Sequence, residues 1–471
     1  MTGSKRKMSG DEPQLGEAPA KHSADGPQKT RREKGDAYYR ELFQTEPDFR
    51  DLARRRPDFA AFIKAKGQLD FTDPAAVMQL TKTLLDVNFD LRIELPADRL
   101  CPPVPNRHNY ILWLKDLMDT TSYDQPGRGL CGIDIGTGAS CIYSLLGCAQ
   151  RPWSFISTDI DEKSLSYAAK NVKLNHLESR ITVVARKKTD PLVCVDVIAD
   201  STQVGFVMTN PPFYESEEEL WTLAKKKSRP PYSACTGAPV EMVCEGGEVA
   251  FVGRILTESL QLRDRVQWYT SMLGKVSSLE VLVERLRKEG IDNYAVTEFI
   301  QGNKTRRWAI AWSFAPMRPA EHVARGMQAV PWRKILPQTV EMDVVTSKPG
   351  EAGMLATNID SLMQSLDLAS WTWDKPRLQG IGRAREKVWG RAWRRRKQRG
   401  ETIIQGACGV SVTCTFGFSI TLRIGLAEAV VVCRWLEGHD FPTFESFNGF
   451  LKSRLAAKPT SQAAAKEAPE S

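Results

Sequence analysis

A chain of 471 residues with a net charge of +8 has room for two or three domains with real cores and leans toward a polyanionic partner. Ten cysteines without a Cys-x-x-Cys pair, and only five histidines, argue against a zinc site and read as reduced thiols of a soluble intracellular protein. No apolar run approaches the roughly 18–20 residues that cross a bilayer, so no membrane is expected.

Residues 1–33 are Gly-, Ser-, Pro- and Lys-rich and are expected to form a disordered basic tail. Lys5-Arg6-Lys7 and Arg31-Arg32 within it read either as solvated charge or as a nuclear-import or RNA-contacting arm, with the nucleus as the expected compartment and the cytoplasm as the alternative. A helical N-terminal extension that contacts RNA is expected over 34–125. In it, Pro47-Asp48-Phe49 and Pro57-Asp58-Phe59 echo one another as two helix entries with packing aromatics.

From 126 to 318 strand and helix patterns alternate as in a doubly wound α/β sheet. Strands are expected at Cys131–Ile135, Trp153–Ser157, Ile181–Ala185, Gly205–Thr209, Val266–Met272, Tyr294–Gln301 and Trp308–Phe314. Helices are expected at Ser164–Asn175, Glu248–Gln261 and Ser278–Gly290. The stretch 214–247 lacks periodicity over more than 30 residues, starts acidic and turns basic at Lys225, Lys226, Lys227 and Arg229. It reads as a phosphate-gripping lid, with a solvated loop as the alternative. A Pro-rich linker is expected at 319–339. A smaller C-terminal α/β accessory domain follows at 340–457, ending in strands at Ala407–Ile424 and Ala429–Glu437 and a helix at Phe444–Leu455. Residues 458–471 read as a disordered tail.

Three motifs in order carry the chemistry. Gly132-Ile-Asp-Ile-Gly-Thr-Gly-Ala-Ser140 breaks a strand into a glycine-rich turn at the carboxyl edge of the sheet, where α/β folds bind nucleotides. It lacks the third glycine of the dinucleotide fingerprint, which argues against NAD. Asp159, about 20 residues beyond the turn, closes the next strand and suits ribose hydroxyls. Asn210-Pro211-Pro212-Phe213 closes a buried strand and offers a carboxamide oxygen, a backbone carbonyl and an aromatic face to a planar conjugated amine. Together they form the layout of an S-adenosylmethionine-dependent amino-methyltransferase. By itself the last motif leaves adenine, guanine, cytosine and glutamine open as targets.

Asp134-Ile-Gly-Thr-Gly-Ala-Ser-Cys-Ile-Tyr143, Asn210-Pro-Pro-Phe213, Glu245-Gly-Gly-Glu248, Trp308-Ala-Ile-Ala-Trp-Ser-Phe314 and Val104-Pro-Asn-Arg-His-Asn-Tyr110 resemble the methyltransferase-like protein 16 family, the U6 small nuclear RNA adenine-N6 methyltransferases. The resemblance runs over roughly residues 35–315. More distantly the domain resembles bacterial 23S ribosomal RNA adenine methyltransferases. It implies a class I (Rossmann-like) methyltransferase sheet, S-adenosyl-L-methionine as cofactor and an unpaired adenine of structured RNA, U6 RNA first, as substrate, with no DNA partner. A monomer or weak dimer is expected.

Carried onto this sequence, the resemblance implies that Gly136 and Ser140 line the cofactor. Asp159, where the family usually has a longer Glu, would take the ribose, Arg107 the methionine carboxylate, and Thr189 the border of the adenine part. Lys188 would sit in a short loop that folds over the cofactor site, and is counted with the RNA-facing cations. Asn210 would serve cofactor and target alike, and Pro211, Pro212 and Phe213 would complete the catalytic turn. Lys225, Lys226, Lys227, Arg229, Lys304 and Arg307 would contact RNA.

In the C-terminal region, Arg383, Arg385, Lys387, Arg391, Arg394, Arg395, Arg396, Lys397 and Arg399 interleave with Trp389 and Trp393. This stretch is too cationic for an ordinary solvated helix face and is expected to bind phosphates, with Val388 and the tryptophans turned toward a sheet. The region 340–457 resembles the RNA-binding accessory region of the same family. Ribosomal RNA adenine methylation, protein glutamine methylation and a non-catalytic RNA-binding splicing scaffold stay as alternatives.

Overall fold

The structure is a computed structural model, and the residues it describes are 34–199, 202–216, 218–219, 237–301, 305–327, 333–399 and 415–456. The basic tail, Lys225, Lys226, Lys227, Arg229, Lys304 and the segment 407–414 lie outside the described residues.

An eight-stranded sheet forms the centre of the larger unit. Its strands are β1 (Cys131–Ile135), β2 (Ser154–Asp159), β3 (Ile181–Ala185), β4 (Val204–Thr209), β5 (Val266–Leu273), β6 (Tyr294–Gln301), β7 (Thr305–Trp312) and β8 (Arg325–Gly326). They lie in the order β3-β2-β1-β4-β5-β7-β6-β8. The first five are parallel, and β7 enters antiparallel between β5 and β6. This is the class I methyltransferase arrangement, finishing hairpin included. The strand order reverses between β1 and β4, so a crevice opens above the carboxyl ends of β1, β2 and β4.

Alternation along the strands feeds two cores. In β7, Ala309 and Ala311 face one layer while Ile310 and Trp312 face the other. The expected seventh strand at Trp308–Phe314 begins and ends earlier because its register is set by pairing Thr305 with Gln301 and Trp312 with Tyr294. Trp153 is buried but precedes β2, and the strand runs on through Asp159, which pairs with Ala185. The short β8 beside β6 carries no periodicity long enough to read from sequence.

The N-terminal extension is not a separate body. Its helices span Asp36–Glu41, Phe49–Arg55, Pro57–Ala60, Pro74–Phe89 and Val104–Thr121, and their apolar faces join the core on one side of the sheet. Both Pro-Asp-Phe echoes start helices. Asp48 caps one with its carboxylate on the Arg50 and Asp51 amides, Pro57 opens the other at its first position, and Phe49 meets Phe59 edge-on at 6.2 Å. Lys115, fully buried, is matched by Asp36 at 2.8 Å, which ties the first helix to the last.

Residues 340 onward build a second, all-antiparallel sheet from β9 (Glu341–Ser347), β10 (Ser370–Asp374), β11 (Gln379–Ala384), β12 (Phe416–Ile424) and β13 (Ala429–Glu437), in the order β10-β11-β12-β13-β9. Helices Ala352–Gln364 and Phe441–Leu455 close its core. The expected linker 319–339 is structured over much of its length. Ala320 donates to Thr120 Oγ1, Trp113 Nε1 donates to the Val323 carbonyl, and the Glu321 carboxylate accepts the Val340 amide.

Three arginines join the two sheets. Arg318, 3% exposed, donates from Nε to the Gly438 carbonyl at 2.9 Å, pairs with Asp292 at 3.1 Å and lies 4.0 Å from the Trp435 ring centre. Arg434 donates to the Thr120 carbonyl, and Arg383 donates to the Tyr123 hydroxyl while pairing with Glu437. Arg383, expected among phosphate-binding cations, thus belongs to this joint. The cationic stretch is also not one helix: it divides into β11, a turn and the helix Arg391–Gln398. Val388, Trp389 and Trp393 are buried as expected, and Arg394, Arg395, Arg396 and Lys397 are exposed.

Candidate active site

The crevice above β1, β2 and β4 holds a cavity of about 750 Å³ lined by Arg107, Gly136, Ser140, Asp159, Asn210 and Pro212, among others. Its floor is the glycine-rich turn. Gly136 (φ +72°) and Gly138 (φ +64°) take left-handed backbone, which a side chain would strain, and the Gly136 and Thr137 amides both reach the Thr158 carbonyl at 2.9 Å. Ser140 is buried at the edge of the floor.

Asp159 is more committed than the sequence suggests. Its Oδ2 accepts the Gly138 amide at 2.9 Å, and its Oδ1 accepts those of Ile160 and Asp161 at 2.8 and 3.0 Å. Burial pushes its pKa up against those hydrogen bonds. A carboxylate has about four acceptor sites, so lone pairs remain for a ribose.

Arg107 enters from helix Val104–Thr121. It is 6% exposed, lies 5.5 Å from the Tyr143 ring centre and reaches Met272 Sδ at 3.5 Å, and no carboxylate among the described residues pairs with it. A buried guanidinium without an anion suits a ligand carboxylate. Asp134, on β1, is also buried. Thr137 and Ser144 donate to its Oδ2, its Oδ1 has no partner, and desolvation raises its pKa to about 7.

Asn210 follows β4 directly, and its Oδ1 is buried without a partner. An orphaned carbonyl oxygen is costly, and a ligand N–H that satisfies it recovers the penalty. Phe213 directly follows the Pro211-Pro212 pair and adjoins both Gly274 and Arg307. A Cβ on Gly274 would lie 2.8 Å from the ring, and the Arg307 guanidinium is 5.3 Å from the ring centre. Glu248 holds Gly274 in place by accepting its amide at 2.6 Å and that of Lys275 at 3.0 Å. Arg307 is thus a neighbour of the Phe213 ring, and burial beside Arg107 lowers its pKa.

Beyond Phe213 the chain zips to the far end of the expected lid: Tyr214 donates to the Met242 carbonyl and accepts from the Cys244 amide, both at 3.0 Å. Among the lid's own residues, Glu219 pairs with Lys275 at 2.8 Å.

Thr189 does not itself line the cavity. The Lys187 amide donates to Asp190 Oδ2 and the Asp190 amide to the Lys187 carbonyl, a turn that leaves Thr189 exposed and off the cavity wall. Lys187, Lys188 and Asp190 line the cavity instead. Sequence reasoning missed the apolar wall of Leu192 and Phe251 beside them, positioned by Glu258, whose carboxylate accepts the Leu192 and Val193 amides at 3.0 and 2.8 Å. It also missed Glu241. Leu192 in its loop and Glu241 on its one-turn helix carry no spacing signal, and Phe251, on the helix Gly247–Leu262, is not set apart by sequence from the residues that face the core.

The features fit S-adenosylmethionine: an unpaired buried cation, a glycine floor flanked by Asp159, and an apolar wall for a base. The family described as RNA methyltransferase matches residues 32–316. The U6 small nuclear RNA (adenine-(43)-N(6))-methyltransferase of Schizosaccharomyces pombe is 38% identical over 83% of this chain and 95% of that protein. The RNA N(6)-adenosine-methyltransferase METTL16 of Homo sapiens is 44% identical over 57% of this chain, and the match spans 48% of the human protein. The hMettl16 catalytic domain solved in complex with a MAT2A 3'UTR hairpin superposes with a TM-score of 0.52 at 42% identity, covering 58% of this chain and 94% of that one. The chain belongs to this RNA methyltransferase family and is an S-adenosylmethionine-dependent RNA adenine-N6 methyltransferase.

Proposed function

We propose that the RNA on which this methyltransferase acts is U6 small nuclear RNA, at an unpaired adenine within a structured segment. The single observation that carries the adenine chemistry is the buried, unpartnered Oδ1 of Asn210 on the cavity wall. Similarity to the fission-yeast U6 enzyme over 95% of its length supports the choice of RNA.

Adenine N6 is a poor nucleophile because its lone pair is delocalised into the ring. Asn210 Oδ1 accepts one N6–H and a carbonyl of the Pro211-Pro212 turn accepts the other, which turns the lone pair toward the methyl donor. The cofactor supplies an electrophilic methyl on a sulfonium. Orientation and electrostatics are the protein's contribution, and no strong base is required because methylation acidifies the amine, which then gives its proton to water. Phe213, backed by Gly274 and faced by Arg307, holds the base plane. Bringing the base out of a stack costs a few kcal/mol, least in a loop or bulge.

In this reading Arg107 binds the methionine carboxylate, Gly136 and Ser140 line the cofactor, Asp159 takes the ribose, and Lys188 guards entry beside it. Arg394, Arg395 and Arg396 position phosphates without reading sequence. The nucleus is the compartment that matches a U6 substrate, and one chain suffices for the site.

The test is transfer of labelled methyl from the cofactor to U6 RNA, to a ribosomal RNA fragment and to glutamine-bearing protein, followed by mapping. A single modified U6 adenine is the expected result. Modification of ribosomal RNA alone would move the protein toward its bacterial relatives, and modified protein would overturn the RNA reading.

A further inference from the structure

We propose that Glu241 is a second carboxylate for the ribose diol of the cofactor, acting beside Asp159. Glu241 sits on the short helix Pro239–Met242 and lines the cofactor cavity. One of its oxygens is spent on architecture: Oε2 accepts the Leu100 amide and the Ala238 amide, both at 2.9 Å. Those two bonds come from chain segments far apart in sequence and fix the plane of the carboxylate. Oε1 is held at the cavity floor, 3.7 Å from where a Cβ on Gly138 would stand. Gly138 is the residue whose amide is bound by Asp159, so both acids adjoin one glycine.

Two further observations favour a ligand over a merely structural acid. Arg107 opens onto the same cavity, 6% exposed and with no acidic partner among the described residues, so this is a built binding site. Asp159 is a short acid whose oxygens already serve three backbone amides. A diol offers two O–H donors, and a second fixed carboxylate accepts the one that a single crowded carboxylate serves poorly. Burial raises the pKa of both acids, and the charge of Asp159 adds to the rise at Glu241. Two donated hydroxyls relieve that repulsion.

The inference rests on the cofactor reading of the cavity, and the experiment separates the two. The full chain is titrated calorimetrically with S-adenosylhomocysteine and with its 2'-deoxy and 3'-deoxy analogues, as wild type and as Glu241→Gln. Absence of binding to the wild type would overturn the cofactor reading itself. With binding present, Glu241→Gln is expected to weaken S-adenosylhomocysteine roughly tenfold, in line with loss of a hydrogen bond to a charged group. The same substitution should cost almost nothing with the analogue that lacks the hydroxyl Glu241 accepts. Equal losses across all three ligands, or none, would overturn the proposal. Should Glu241→Gln not fold, a crystal structure of the wild type with S-adenosylhomocysteine decides: Glu241 Oε1 within hydrogen-bond reach of a ribose hydroxyl supports it, and separation beyond about 3.5 Å overturns it.

Discussion

The cofactor cavity and the cationic helix Arg391–Gln398 hold their polar groups in opposite ways. In and beneath the cavity, Asn210 Oδ1 and Asp134 Oδ1 are buried without a hydrogen-bond partner, and Arg107 is buried without a salt bridge among the described residues. On the helix, Arg394, Arg395 and Arg396 are exposed, and only Trp393 is locked into the core. Unsatisfied buried groups cost stability and recover it when a ligand of the right shape arrives, so the cavity discriminates by geometry. Exposed cations cost little and act through their number, so the affinity proposed for the helix is one that salt would remove.

The sharpest break between the regions is Asn210→Ala. Turnover should fall roughly a thousandfold, the scale seen when one preorganised transition-state hydrogen-bonding group is removed, while RNA affinity stays within about twofold. Single-turnover methyl transfer and an electrophoretic shift measure the two, and a parallel loss of both would make Asn210 structural. Gly274→Ala tests the base platform indirectly. Its Cβ would press on Phe213 at 2.8 Å, and a displacement of that order should lower turnover about a hundredfold with cofactor affinity unchanged.

On the other side of the comparison, replacing Arg394, Arg395 and Arg396 together by Ala should reduce RNA affinity about tenfold. The slope of log affinity against log salt should also flatten, by roughly 0.7–0.9 for each phosphate that is no longer neutralised. Lysine at all three positions should restore most of the binding. If lysine fails, the shape of the guanidinium matters and the number of cations alone does not govern the helix.

The smallest effect concerns Asp134. Its folded-state pKa of about 7 lies above the ordinary carboxylate value because burial disfavours the charge. The folded protein therefore binds the proton more tightly than the unfolded chain. The contribution is fully favourable below the ordinary pKa near 3.8 and is lost as pH rises through about 7. Denaturant unfolding at intervals from pH 5 to pH 8 should show Asp134→Asn with a flatter pH profile than the wild type. Identical profiles would mean that the carboxyl is solvated in solution.

Much of the fold and the site is legible in the sequence, for identifiable reasons. The sheet is readable because buried parallel strands are continuous apolar runs bounded by turns, as at Val204–Thr209. The catalytic turn is readable because Asn-Pro-Pro-Phe puts its chemistry in consecutive residues. Groups supplied by other parts of the chain are not. Glu241 acts through a short helix far along the chain from Asp159, and Leu192 and Phe251 meet only once Glu258 has fixed the loop before them. The place of Thr189 is set by a turn closed by Asp190, which sequence spacing does not reveal. The linker looks like a connector because Trp113, Thr120 and Glu321, which hold it, are spread over about 200 residues.

The arginine joint between the two sheets, built from Arg318, Arg383 and Arg434, has a consequence that reaches further than stability. Two contact sites on a floppy tether meet a bound RNA at an effective concentration set by the tether's length. Here the separation is set by a guanidinium wedged between Asp292, Gly438 and Trp435. If Arg394, Arg395 and Arg396 hold phosphates as proposed, the molecule works as a caliper with a fixed opening. On that proposal an RNA would qualify when its reactive adenine and its phosphates fall the right distance apart, so a length would be measured where no base is read.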